Sequence, residues 1–142
     1  MASEIDRPHV LGNFRKRGLR AKRVSTWRDK RPGMSEDHCV MVRKLPCAAC
    51  LRVPAGTVHH IKSGTNERGM GVRSTDKWGV PMCMHHHDEI ERAGTRNEVA
   101  KFQSWGIDDV HELAVSLWQA TGNLAQMTKI VIAHHRSGAA KR

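Results

Sequence analysis

Tyrosine is absent, and four tryptophans and two phenylalanines are the whole aromatic complement of the 142 residues. Modules that read single-stranded RNA stack bases on exposed tyrosine or phenylalanine, so an RNA-binding zinc protein is disfavoured, with the tryptophans as its remaining support. Hydrophobic residues reach 39%. That is thin for a chain with room for one ordinary domain, and a large core cannot form there unaided. No apolar run approaches the roughly 20 residues that cross a bilayer, and the opening residues, Met1 to Asp6, lack a signal-peptide core. The expectation is a cytoplasmic protein with no membrane partner. Acids are scarce too: 14 Asp and Glu face 24 Lys and Arg, for a net charge of +10 and a pI near 10.1. Such an excess attracts polyphosphate and releases its counterions, which makes nucleic acid the first candidate partner.

The charge is unevenly spread. Residues 1–33 carry ten basic side chains against Glu4, Asp6 and Asp29, interrupted by Pro8, Gly12, Gly18, Pro32 and Gly33. With almost no apolar periodicity, this stretch reads as a flexible basic arm. Alone it would be a solvated tail; beside a nucleic-acid domain, Arg15, Lys16, Arg17, Arg20, Lys22 and Arg23 become candidates for phosphate contact. The domain itself is expected over 34–122, with a C-terminal helix and basic tail over 123–142. A helix from Ser35 to about Lys44 has Ser35 as N-cap and Glu36 and Asp37 in its first turn. Short strands are expected near 57–61 and 78–82 in a glycine-rich region, then a helix from about His85 to Ala93 stopped by Gly94. Thr95 and Glu98 have capping-box spacing ahead of Val99, Phe102 and Trp105, with Gly106 as the stop. Asp109 and Glu112 repeat that spacing, and Val110, Leu113, Ala114, Leu117 and Trp118 form one apolar face up to Gly122. Leu124, Met127 and Val131 indicate a last helix before a basic tail from His134. The fold class is α+β.

Four cysteines in such a chain suit metal better than disulfides. Cys47-x-x-Cys50 and Cys83-x-x-His86, separated by residues 51–82, are two paired ligand sets of the kind a tetrahedral zinc site takes. A structural zinc there could contribute on the order of 10 kcal/mol of apparent folding free energy, offsetting the thin core. Cys39 is left over and reads as a buried, inert thiol. His59, His60 and His87 are histidines that the zinc does not need, and closing the site draws their two segments together.

Cys47-x-x-Cys50, then Val58-His59-His60-Ile61, then Asp76-x-Trp78-x-Val80-Pro81-Met82-Cys83-x-x-His86-His87 resembles an HNH nuclease of the ββα-metal kind, in particular its phage and prophage branch, which is linked to recombination. The resemblance covers about residues 38–120. It implies a zinc-stabilised ββα-metal core followed by further α-helices, and a DNA endonuclease that hydrolyses phosphodiester bonds. His60 would be the general base, and His59 and His87 would hold a catalytic divalent cation, whether manganese, nickel, magnesium or zinc. DNA is the implied partner, with a recombination protein as a second candidate. Where the family has an asparagine that orients the base, this chain has Trp78, leaving Asp76 or Asn66 as substitutes. Glu91, one turn after His87, is either a further carboxylate ligand or solvated helix surface. Arg68, Arg73 and Lys77 are either phosphate contacts or an ordinary basic loop. The alternative to an enzyme is a non-catalytic, zinc-stabilised DNA-binding module in which the extra histidines do no chemistry.

Overall fold

A computed structural model describes residues 32–67 and 72–140. The order of elements is α1 (Glu36–Lys44), β1 (Thr57–His60), β2 (Gly79–Met82), α2 (Met84–Ala93), α3 (Glu98–Ser104), α4 (Val110–Gln119) and α5 (Leu124–Ala140). The fold is therefore mixed α and β, five helices around a small two-stranded antiparallel sheet. Short 3-10 turns, Asp76–Trp78 and Thr95–Asn97, precede β2 and α3. Among the described residues, no helix is long and apolar enough to cross a membrane. Residues 1–31, 68–71 and the last two residues lie outside this description. The expectations for Arg15, Lys16, Arg17, Arg20, Lys22, Arg23 and Arg68 fall there.

Local signals explain most of the element boundaries. Ser35 caps α1 by accepting a hydrogen bond from the His38 amide, which satisfies a donor that a helix start otherwise leaves without a partner. Asp109 caps α4 in the same way through the Glu112 amide at 2.9 Å. β1 and β2 pair with Thr57 opposite Met82 and His60 opposite Gly79. Gly79 is required by close approach: a Cβ there would lie 2.7 Å from Val58 Cγ1 and 3.1 Å from the Asp76 carbonyl oxygen.

One core runs through the described elements. Val42 and Leu45 near the end of α1, Ile61, Val80 and Met82 from the sheet region, Ile90 of α2, and Phe102 of α3 are all buried. Leu113, Ala114 and Leu117 of α4 and Met127 and Val131 of α5 complete it. The α4 stripe falls where its i, i+3, i+4, i+7 spacing places it.

Two expectations are corrected. Thr95 and Glu98 do not form a capping box. Thr95 opens the 3-10 turn, and Glu98 starts α3 with its carboxylate turned inward. The basic tail expected from His134 begins as helix instead, because α5 continues to Ala140.

Candidate metal centres and the histidine face

Cys47, Cys50, Cys83 and His86 each present a ligand atom, all four within 4.8 Å of one another. The first pair lies in a tight turn in which the Leu51 amide reaches the Cys47 carbonyl at 2.8 Å, with Leu51 itself at φ 63°. This turn docks on β2 through the Ala48 amide and the Pro81 carbonyl at 2.9 Å, and α5 covers it where His135 Nδ1 meets the Ala48 carbonyl at 3.1 Å. Cys83 and His86 come from the first turn of α2. His86 Nδ1 is 3.1 Å from Cys83 Sγ and 3.9 Å from Cys47 Sγ, and the Cys50 and Cys83 sulfurs are 4.0 Å apart. Tetrahedral zinc with bonds of about 2.0–2.3 Å would separate its ligands by about 3.3–3.8 Å, and these three separations lie within a few tenths of an ångström of that range. All four cysteines are free thiols. Burial pushes the Cys47 thiol up to about 11, whereas for Cys83 the amides at the start of α2 and the neighbouring thiols outweigh burial and bring it below the ordinary value. Burial lowers His86, keeping its ring a neutral donor.

Successive residues of a strand face opposite sides, and β1 ends by sending His59 inward towards α2 and α3 and His60 the other way. His59 Nε2 lies 2.7 Å from Glu98 Oε1, and its Nδ1 lies 3.6 Å from Glu91 Oε1. Its ring meets that of His87 edge-on at 5.4 Å between centroids. His59, His87 and Glu91 bring their ligand atoms within 4.8 Å of one another. Glu91 is partly exposed and also pairs with Lys62. Glu91 thus stands both in this group of potential ligands and on the exposed helix surface.

Glu98 orients the His59 ring. Its buried carboxylate accepts hydrogen bonds from the Lys62 amide at 2.9 Å and the Ser63 amide at 2.7 Å as well as from His59. Burial opposes its charge, but the His59 contact and these amides outweigh it and hold the carboxyl below its usual range. In the tautomer whose Nε2–H donates to Glu98, the His59 lone pair lies on Nδ1, 3.6 Å from Glu91 Oε1. Burial and the neighbouring His59 lower His87. Two imidazole lone pairs and a carboxylate facing one another are mutually repulsive unless a cation or proton lies between them.

On the other face, His60 Nε2 is 2.8 Å from Asp76 Oδ1. Of the two substitutes open from sequence it is Asp76 that meets His60, while Asn66 sits exposed in a left-handed turn at φ 56°. The Ser35 amide reaches Asp76 Oδ2 at 2.9 Å, tying the start of α1 to this carboxylate. Burial again opposes the charge, but the His60 and Ser35 hydrogen bonds outweigh it and lower the Asp76 carboxyl. In the tautomer that donates Nε2–H to Asp76, the lone pair of the His60 ring lies on Nδ1. Arg73 reaches over the pair with Nη2 3.9 Å from Asp76, and Lys77 lies over the Trp78 ring at 5.1 Å.

Sequence reasoning missed two residues. Glu98 carried a capping signal that concealed its buried role. Cys39, read as inert, stands with His60 and Asp76 in a third group of potential ligands within 4.8 Å of one another. No local pattern marks either contact.

Over 61 residues the chain is 34% identical to Uncharacterized protein YdfU of Escherichia coli (strain K12), a match that covers 43% of this chain and 17% of that protein. The chain thus spans a small part of the length of that relative. No solved structure is significantly similar to it. A family model matches residues 27–105, more than half of the chain, from before α1 through α3 and including every potential ligand above. The chain belongs to the family described as Protein of unknown function (DUF968).

Proposed function

We propose that this protein is a metal-dependent DNA endonuclease of the ββα-metal kind, with zinc at Cys47, Cys50, Cys83 and His86 and a second cation at His59, His87 and Glu91. One observation carries the reading. Two consecutive residues at the end of β1 have different carboxylate partners, Glu98 for His59 and Asp76 for His60, and the resulting free nitrogens suit a metal ligand and a base respectively. Their Cα atoms are about 3.8 Å apart and their rings lie on opposite faces of β1, so a phosphodiester at the end of the strand would have the base on one side and the cation site on the other. The charge of +10 supports a polyanionic substrate.

In this mechanism the scissile phosphate settles at the strand end, and His60 Nδ1 takes a proton from a water that attacks phosphorus. Asp76 orients the ring and stabilises the imidazolium that forms. The bond to the leaving sugar oxygen breaks as the new bond forms. His59, His87 and Glu91 would hold a divalent cation, which when bound would supply positive charge to the developing leaving oxygen. Glu98 fixes the His59 tautomer, a positioning role from behind a ligand. Arg73 and Lys77 stand beside Asp76 to meet the flanking backbone phosphates.

Supercoiled plasmid tests this, with magnesium, manganese, nickel or EDTA and with the His60→Ala variant in parallel. Wild-type protein should nick or linearise the plasmid only with a divalent cation. His60→Ala should lose on the order of 100- to 10,000-fold in rate while keeping its zinc and its DNA binding. Cleavage unchanged by His60→Ala, or DNA binding without cleavage under every cation, favours the non-catalytic binding module instead.

A further inference from the structure

Cys39 is the one cysteine outside the zinc quartet, and the fold sets it against the proposed base. Its thiol comes from α1, the His60 ring from β1 and the Asp76 carboxylate from the turn before β2, with their ligand atoms within 4.8 Å of one another. Cys39 and Asp76 are buried and His60 is partly so. Both the Cys39 thiol and His60 Nε2 turn onto Asp76. A sulfur, an imidazole nitrogen and a carboxylate oxygen converging from three elements suit a borderline-soft cation, with a fourth position left for water.

We propose that Cys39, His60 and Asp76 form a thiolate-containing site for zinc or another thiophilic divalent ion, and that its occupation and the use of His60 as a base exclude each other. On binding, the Cys39 thiol proton leaves to solvent. His60 coordinates through Nε2, so its one remaining proton moves to Nδ1, and that nitrogen no longer accepts a proton from water. With three protein ligands against the quartet's four, the site fills only at higher metal concentration than the quartet. Magnesium prefers oxygen ligands and avoids such a site. Binding at this site stands apart from the nuclease reading; only its effect on cleavage rests on that reading.

Cobalt added to protein whose quartet already holds zinc provides the test. The His59, His87 and Glu91 cluster has no sulfur, so a sulfur-to-cobalt charge-transfer band in the near ultraviolet reports either Cys39 or exchange at the quartet, and counting retained zinc separates the two. Wild type should show the band with its zinc retained, and Cys39→Ser should not at the same cobalt concentration. If Cys39→Ser does not fold, His60→Ala carries the comparison and should weaken cobalt binding by at least about 10-fold, the size of losing even an outer-shell partner. No band in wild type, or an equal band in Cys39→Ser, overturns the site. With manganese-supported cleavage, excess zinc should suppress wild type and spare Cys39→Ser, and equal suppression of both overturns the mutual exclusion. Absence of cleavage in both proteins counts against the nuclease reading and leaves the cobalt result to decide the site.

Discussion

The cysteine quartet and the histidine face lie at opposite ends of the same short strands, and they treat a cation differently. At the quartet, four ligands from two paired segments close around one point, and nothing remains for substrate. At the other end, on opposite faces of β1, His59 and His60 each meet a buried carboxylate, Glu98 or Asp76, through Nε2. The first arrangement suits stability and the second suits exchange. A closed set tolerates no loss of a ligand, whereas an open one is tuned through its partners.

The largest effect expected from this contrast is at Cys50, the exposed member of the quartet. Because it packs little, Cys50→Ser tests the metal rather than the core. It should release zinc and remove on the order of 10 kcal/mol of apparent folding free energy, seen as loss of the cooperative thermal transition together with the metal content. A variant that melts like wild type would place the structural weight elsewhere.

A smaller effect concerns acid. His38 of α1 is buried, with Nδ1 2.7 Å from Thr121 Oγ1 and Nε2 without a partner among the described residues. Burial lowers it to about 4 from 6.5. Its folded pKa lies below the unfolded one, so between about 6.5 and 4 the unfolded chain binds the extra proton. The stability it contributes is therefore complete above pH 6.5 and lost as the pH falls towards 4, by roughly 3 kcal/mol in all. With zinc in excess, denaturant melts of wild type and His38→Gln isolate this contribution from acid release of zinc. The variant should show the shallower loss over that window, and parallel curves would contradict it.

The smallest is at Glu98. Glu98→Gln keeps the shape but exchanges a charged acceptor for an amide, and should weaken manganese at the histidine face by about 10- to 100-fold with the quartet still filled. Raising manganese should restore cleavage. A defect that no manganese concentration relieves would make Glu98 a packing residue only.

What could be read in the sequence was local. Ser35 as a cap, Gly94 as a stop, the α4 stripe and the two Cys-x-x pairs each announce themselves within a few residues, and the structure places them accordingly. What could not be read joins distant segments. Glu98 is 39 residues from His59, and Asp76 is 16 from His60. The capping-box spacing of Thr95 and Glu98 pointed to a helix end, but the buried amides of Lys62 and Ser63 needed an acceptor and took the carboxylate. Cys39 met His60 for a similar reason, because the Ser35 amide ties the start of α1 to Asp76.

The division of labour between the two ends is tested most directly by counting manganese on zinc-loaded protein through the spectrum of the free ion in electron paramagnetic resonance. Wild type and His60→Ala should both bind manganese at the histidine face, and His87→Ala should not, while all three retain their zinc. Manganese binding that survives His87→Ala, or zinc that leaves with it, would contradict two separate cation sites with separate roles.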